Sequence, residues 1–127
     1  MENSLLHHFL PEELLIHFAI VELKELGDVL SKELFYEIYL EENNVIPEGL
    51  VSSDYESKGF CTEVTIQDFP IRGKAVYLKI KRRRWRHKGN PKDIIRNDYS
   101  FVAEGSKLTK ELSDFLKETG RYTGRYD

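Results

Sequence analysis

Residues 75–86 alternate apolar and polar side chains and then lose that alternation abruptly. Val76, Leu78 and Ile80 fall on one face of an extended chain, while Tyr77 and two lysines fall on the other. Alternation with a period of two predicts a strand that has one buried face. After Ile80 the positions of the same parity are arginines. We therefore expect the strand to leave the core there and to project as an arm or hairpin that is exposed on both faces.

The region around this point is unusually basic. Residues 79–88, KIKRRRWRHK, hold seven lysines and arginines in ten positions, together with the only tryptophan of the chain. Residues 1–56 hold 13 acidic and 2 basic side chains, whereas residues 57–127 hold 9 acidic and 17 basic ones. The formal charges of these two parts are therefore −11 and +8, within a net charge of −3. Such an asymmetry indicates contact with nucleic acid or another anionic partner.

The length of 127 residues predicts one domain, with an acidic part at 1–56 and a basic part at 57–127. Cys61 is the only cysteine, which excludes an internal disulfide and leaves too few thiols for a zinc ribbon. No stretch approaches the roughly 18 apolar residues of a membrane span, and no signal-peptide pattern opens the chain. We expect a cytoplasmic protein without a metal, a cofactor or a membrane association.

The remaining patterns predict an α+β fold. Pro11 followed by two glutamates favours a short N-terminal helix whose buried stripe includes Leu14, Leu15 and Phe18. Three more strands are predicted, the last of them interrupted by Pro70, and a polar turn should close the second. Their ranges are 19–26, 34–40 and 59–69, and the polar turn is 41–44.

The C-terminal part predicts a hairpin and a helix. Residues 71–74 form a turn, and residues 99–102 return antiparallel to the arm, which makes a basic hairpin. Residues 106–118 have leucines and a phenylalanine at helical spacing, with Thr109 as the cap and Gly120 as the stop. The predicted architecture is an antiparallel sheet of about four or five strands with a short N-terminal helix, the basic hairpin and this C-terminal helix.

Two functions of the basic run are compatible with these residues. Clustered arginines present planar forks of donors to phosphate oxygens, and Trp85, Tyr77 and His87 add flat surfaces that stack on bases. In the alternative, the charges pair with the acidic part of the chain and Trp85 is a core residue beneath them. No diagnostic pair of carboxylates and no oriented histidine indicates catalysis, so we expect no enzyme.

Three stretches, taken in order, carry a resemblance to a known family. They are SKGF at 57–60, TIQDFPIRGKAVYLKIKRRRW at 65–85 and VAEGSKLTKELSDFL at 102–116. Together they resemble the N-terminal region of insertion-sequence transposases of Bacteroides-like bacteria, which is encoded in a separate reading frame upstream of the catalytic domain. The resemblance covers residues 10–117 and is most specific over 67–85.

The resemblance implies that the basic strand and the following helix recognise the DNA at the ends of the element. The catalytic acidic triad of transposases has no counterpart here. More distant transposases have a zinc ribbon in the place of residues 85–101; this chain lacks its cysteines, so packing of Tyr99 and Phe101 would have to hold the hairpin. The partners implied are element-end DNA and the transposase catalytic subunit. A protein-interaction or regulatory scaffold for that subunit, and RNA binding, remain the alternatives.

The predicted DNA-binding residues are the cations of the basic run and its flanks, together with the tryptophan. Because these cations should be exposed, we expect alanine at Arg82, Arg83 and Arg84 to weaken binding without unfolding the protein. The set is Arg72, Lys74, Lys79, Lys81, Arg82, Arg83, Arg84, Trp85, Arg86, Lys88, Lys107 and Lys110, with Lys117 as a further backbone contact.

Overall fold

The computed structural model describes residues 8–99 and 108–123, with side chains described up to residue 118 of the last helix. Two helices, seven strands and one 3-10 turn lie within these ranges. The elements are α1 Glu12–His17, β1 Phe18–Gly27, β2 Leu34–Glu42, the 3-10 turn Ser52–Asp54, β3 Tyr55–Phe60, β4 Val64–Ile71, β5 Lys74–Lys81, β6 Arg83–His87, β7 Asn90–Ile95 and α2 Lys110–Thr123.

The first sheet has the strand order β1-β2-β5-β4. The outer pairs are antiparallel, whereas the central pair β2 and β5 is parallel, with Ile38 opposite Leu78. These two residues, with Leu40 and Ile80, are buried on one face of the sheet. That face forms the core, since α1 adds Leu14 to the same cluster.

The second sheet has the strand order β3-β6-β7 and is antiparallel throughout. Only Arg82 separates β5 from β6, so one nearly continuous strand runs from the centre of the first sheet into the centre of the second. The backbone N–H of Cys61 donates to the carbonyl of Arg82 at 2.7 Å, where the chain passes between the sheets. The two sheets are thus joined by a shared strand.

The α+β class expected from the sequence is confirmed, and so are the turn before β5 and the helix at each end of the described fold. Arg72 and Gly73 both have positive φ, 56° and 78°, as a two-residue hairpin turn of type I′ requires. Thr109 caps α2, because its Oγ1 accepts a hydrogen bond from the N–H of Leu112 at 3.3 Å.

Three elements differ from the expectation. The predicted strand 59–69 is divided between β3 and β4, which lie in different sheets, because Gly59 has a φ of 86° and β3 is irregular between Ser57 and Phe60. The strand that returns antiparallel to the basic run is β7, and of the expected returning strand 99–102 only Tyr99 lies within the described residues. Gly120 does not end α2, because an interior glycine costs only about 1 kcal/mol relative to alanine.

The projecting arm is the main correction. The second sheet surrounds β6 on both sides, and Trp85 at its centre is fully buried. The alternation of the sequence led us to expect one uninterrupted strand through residue 82. Arg82 instead lies outside both strands, so the buried parity changes from the even positions of β5 to Trp85 in β6.

No helix within the described ranges is long and apolar enough to span a membrane.

Candidate nucleic-acid interface

Trp85 faces the interior of the molecule. Its Nε1–H donates to Oδ1 of Asn44 at 2.8 Å, which satisfies the one polar atom of the buried indole. Ser57 and Ile95 lie opposite it on the neighbouring strands. The indole has no exposed surface on which a base could stack, so its place in the structure is that of a packing residue.

Arg83 lies on the same side of β6 as Trp85 and has several internal partners. Its guanidinium carbon lies 4.5 Å from the centroid of the Phe60 ring, and its Nη1 donates to Oγ of Ser57 at 2.8 Å. Its Nε donates to the carbonyl of Glu42 at 3.1 Å. Three contacts hold this cation against the protein, and we do not place it among the residues free to meet a phosphate.

Glu42 is the centre of the junction between the sheets. It is the last residue of β2 and is buried, and its Oε1 accepts from the backbone N–H of Arg83 at 2.7 Å. Its Oε2 accepts from Nδ2 of Asn97 at 3.0 Å and from the hydroxyl of Tyr99. Burial, and then this carboxylate, raise the pKa of Tyr99. The sequence assigned Glu42 to a polar turn and missed its role.

Tyr99, which was expected to hold the basic hairpin, packs against the core of the first sheet. Its ring lies against the core cluster, with its centroid 5.1 Å from that of Phe18 in an edge-to-face arrangement. Phe101, the other residue expected to hold the hairpin, lies outside the described residues.

Arg84 and Arg86 point to the opposite side of β6, away from the interior. Nη2 of Arg84 donates to the carbonyl of Lys58 at 3.4 Å, and its Nε has no hydrogen-bond partner in the described chain. Nη2 of Arg86 lies 2.8 Å from Oε2 of Glu56. This hydrogen bond lowers the pKa of the Glu56 carboxyl.

The outward side of the second sheet carries further cations on the two flanking strands. Lys58 is exposed on β3, and Lys92 and Arg96 are exposed at two-residue spacing around Ile94, which pairs with Arg86. We call this surface the basic face; it consists of Lys58, Arg84, Arg86, Lys92 and Arg96. Glu56, opposite Arg86, is the acidic residue on it.

The lysines of β5 lie on a different surface, the outward side of the first sheet. Nζ of Lys79 donates to Oγ1 of Thr65 at 2.9 Å and lies 3.7 Å from Oε2 of Glu37. Lys81 lines a shallow depression of about 270 Å³ together with Glu41 and Glu63. The carboxylates around these two lysines make this surface a poor site for a polyanion.

The same depression includes Tyr39, whose hydroxyl donates to Glu37. This hydrogen bond, followed by desolvation and by the nearby carboxylates, raises the pKa of Tyr39 to about 12. The carboxylates on this side of the first sheet therefore affect the hydroxyl of Tyr39 as well as the two lysines.

The other predicted cations are scattered. Arg72 and Lys74 lie at the β4–β5 turn, where Lys74 Nζ is 3.0 Å from Oε2 of Glu25. The remaining five comprise two cations with a nearby carboxylate, two exposed lysines and one residue outside the described ranges. Arg82 Nη1 lies 3.8 Å from Asp98 Oδ1, Lys88 is exposed in the β6–β7 turn, Lys107 is not described, Lys110 Nζ lies 3.0 Å from Asp114 Oδ2, and Lys117 is exposed.

Sequence reasoning missed Lys58, Lys92 and Arg96. Each is separated from the basic run by a turn or loop, and only the pairing of β3 and β7 with β6 brings them beside Arg84 and Arg86. The two-residue spacing of Lys92, Ile94 and Arg96 was a usable signal for a strand with an exposed face.

Within the ranges that the structure describes, no group of three or more histidine, cysteine, aspartate or glutamate side chains is arranged to hold a metal ion. Comparisons of the chain with protein-family models, with curated proteins and with solved structures found no match.

Proposed function

We propose that this protein binds nucleic acid, with duplex DNA as the preferred form, through the basic face of its second sheet. The observation that carries the proposal is the composition of that face, which has five cations and one carboxylate. Lysine and arginine side chains that neutralise phosphates release counterions, and this release supplies most of the affinity of non-specific binding.

The form of the second sheet supports a duplex as the ligand. Because β3 and β7 both flank β6, the sheet would meet a duplex with a three-stranded face whose cations lie on all three strands or directly beside them. Arg84 and Arg86 lie in the middle strand of the sheet, two residues apart, and therefore about 6.6 Å apart along it. Their guanidinium forks suit phosphate oxygens and the O6 and N7 atoms of guanine.

The resemblance to transposase N-terminal regions supports a more specific form of the same proposal. In that form the basic face recognises the DNA at the ends of an insertion element, and the separately encoded catalytic subunit cuts and joins it. The chain itself would be a recognition module without catalytic activity.

The test compares three neutralising substitutions on the basic face with three elsewhere. We expect Arg84→Gln, Lys92→Gln and Arg96→Gln together to lower duplex affinity and to flatten the plot of log K against log salt by up to about 2.7, at about 0.9 per phosphate contact. Fluorescence anisotropy with labelled duplex, single-stranded DNA and structured RNA at a series of salt concentrations measures both quantities. The matched control is Lys32→Gln, Arg72→Gln and Lys110→Gln, three exposed cations outside the basic face.

An equal loss of duplex affinity in the two triple variants would show that binding depends only on net charge. It would contradict the assignment of the basic face as the binding surface. Tighter binding of structured RNA than of duplex DNA would show that RNA, and not DNA, is the preferred ligand. Absence of binding to all three probes at low salt would reject the proposal and favour the protein-interaction scaffold.

A further inference from the structure

β1 is an edge strand of the first sheet. One of its sides pairs with β2, and no strand in the described ranges pairs with the other. The opposite edge, β4, is partly covered, because the N–H of Thr109 donates to the carbonyl of Gln67 at 2.9 Å. An edge strand presents unpaired N–H and C=O groups that another strand can bind. β1, with ten residues, is the longest strand of the fold described here.

The side chains of β1 are more apolar on the surface than an unpaired edge favours. Val21 and Leu23 are 52% and 45% exposed. A lysine on an edge strand commonly discourages pairing. Here Nζ of Lys24 lies 4.9 Å from the centroid of the Tyr39 ring, so the ammonium group lies over the sheet and not beyond its edge. The register irregularity at Val21 interrupts this edge, and the strand is regular after it.

We propose that a second copy of this chain pairs with β1 through its own β1, antiparallel and centred on Leu23. A two-fold axis perpendicular to the sheet leaves the core-facing side chains of both copies on the same face. Neighbouring residues of a strand lie on opposite faces, so each residue at the axis must be opposite its own copy and not opposite the copy of its neighbour. With the axis at Leu23, Glu22 of each copy lies opposite Lys24 of the other. Two ion pairs form across the interface, and the two Leu23 side chains cover each other.

Charge selects this register over its neighbours. An axis through Glu22, Lys24 or Glu25 would place that residue opposite its own copy, and directly opposed like charges destabilise a pair of strands. An axis through Leu26 lies one residue from the end of β1 and would leave most of the strand unpaired. Leu23 is therefore the one centre in the regular part of the strand that combines long pairing with opposite charges.

The ends of the strand fit the same arrangement. Gly27 lies four residues after Leu23, and Phe18 lies five residues before it. The register irregularity near Val21 shortens the first half by one residue, so each half of β1 is about 13 Å long. The turn that follows β1 in one copy therefore reaches the start of β1 in the other. Val29 and Leu30 in that turn are at least 90% exposed, and Ile16, just before β1, is 63% exposed. The pairing brings these apolar side chains together.

The first test exchanges the charges. Sedimentation equilibrium of the full chain should show a dimer, and Glu22→Lys or Lys24→Glu alone should raise its dissociation constant by about tenfold, because each creates two like-charge pairs. The double variant Glu22→Lys with Lys24→Glu restores opposite charges and should restore the dimer. The control Glu48→Lys makes the same charge change on an exposed loop and should leave the constant unchanged.

The second test reports the register directly. In a Cys61→Ser background, Leu23→Cys places two thiols on directly opposed residues, whose Cα atoms are about 4.5 to 5.5 Å apart and so within the range that a disulfide bridges on oxidation. Glu25→Cys places its two copies four residues apart, about 13 Å, and should not cross-link. A wild-type chain that stays monomeric at all concentrations, a double variant as weak as the single ones, or cross-linking that favours residue 25 would overturn the proposal.

Discussion

Glu42 places one carboxylate where three donors from distant parts of the chain converge. The backbone N–H of Arg83, the amide of Asn97 and the hydroxyl of Tyr99 all donate to it. A buried charged group is tolerated only when hydrogen bonds replace its lost hydration, and here several do. The carboxylate therefore fixes where the second sheet begins relative to the first.

Glu42→Ala should lower the free energy of unfolding by about 2 to 4 kcal/mol, because it leaves three donors without their acceptor. Urea denaturation measures the loss. Glu41→Ala removes the neighbouring carboxylate on the opposite side of β2 and should change the free energy by less than about 0.5 kcal/mol. Similar values for the two variants would contradict the role assigned to Glu42.

Glu56 competes with a phosphate for Arg86. The carboxylate lies 2.8 Å from the guanidinium, and the pair is exposed to solvent. Glu56→Gln should therefore increase the affinity for duplex DNA and steepen its salt dependence by about one phosphate contact. Because Arg86 lowers the pKa of Glu56, the carboxyl stays ionised in weakly acidic solution and the competition persists there.

Anisotropy titrations of Glu56→Gln measure this gain, with Glu48→Gln on an exposed loop as the control. Equal affinities of Glu56→Gln and the wild-type chain would show that Arg86 does not contact the ligand. Glu56→Gln also tests whether pairing with the acidic part of the chain weakens the binding of an anionic ligand to the basic run. A fragment that starts near residue 57 cannot do so, because it lacks β2, the partner of β5.

At the scale of the elements, α2 is attached to the first sheet through its cap. Oγ1 of Thr109 donates to Oδ1 of the buried Asp68 at 2.8 Å and also accepts from the N–H of Leu112. The ring of Phe115 packs edge to face on Phe69, with centroids 5.6 Å apart. The attachment therefore combines a buried polar contact at the first turn with an aromatic contact along the helix.

The stability of this attachment should depend on pH through Asp68. Burial raises the pKa of this carboxyl above the ordinary value of 3.8, against the effect of its hydrogen bonds. A carboxyl with a raised pKa in the folded state binds more protons there than in the unfolded state. Its contribution to the free energy of unfolding is present below pH 3.8 and is lost as the pH rises through the folded pKa.

Asp68→Asn keeps an oxygen acceptor for Thr109 and removes the ionisation. The free energy of unfolding of this variant, relative to the wild type, should therefore be higher at pH 7 than at pH 4. Urea denaturation at the two pH values measures the difference, with Asp54→Asn, an exposed aspartate, as the control. A relative stability that falls between pH 4 and pH 7 would show that Asp68 is better stabilised when charged.

The sequence predicted where helices and strands form better than it predicted which strands pair with each other. The alternation of Val76, Leu78 and Ile80 and the helical spacing around Leu112 are local signals, and each produced the expected element. The parallel pairing of β2 with β5 leaves no local signal, because it joins residues about 40 positions apart. The change of buried parity at Arg82 was equally invisible, since a single residue between the two strands reverses every later position.

The position of Arg82 between β5 and β6 also explains why the expected basic site was too broad. Arg83 and Trp85 turn inward, whereas Arg84 and Arg86 turn outward. Alanine at Arg82, Arg83 and Arg84 together would remove the contacts of Arg83 with Phe60 and Glu42, so we no longer expect that variant to keep its stability.

At the scale of the whole molecule, the acidic and basic parts of the sequence are interleaved. β2 belongs to the acidic part and lies between β1 and the basic strand β5, and β3 of the second sheet begins before residue 57. Glu37, Glu42 and Glu56 of the acidic part contact Lys79, Arg83 and Arg86 of the basic part. The contacts between these two parts therefore cancel some of the charge asymmetry along the chain.

Because β5 and β6 form one nearly continuous strand, we expect the two sheets to unfold together. Trp85 is the only tryptophan, so its fluorescence reports the second sheet, while far-ultraviolet circular dichroism reports all strands and helices. The urea transitions seen by the two methods should coincide within error. An earlier fluorescence transition would show that the second sheet opens independently.

The parallel pairing of β2 with β5 also affects how the protein is made. Synthesis proceeds at about 5 to 20 residues per second, so roughly 2 to 8 s separate the completion of β2 from that of β5, 39 residues later. During this time one side of β2, which reads LFYEIYLEE, has no partner. Its aromatic and β-branched residues favour pairing with any available strand. The interval between the emergence of β2 and that of β5 is therefore a period of aggregation risk that begins before synthesis of the chain has ended.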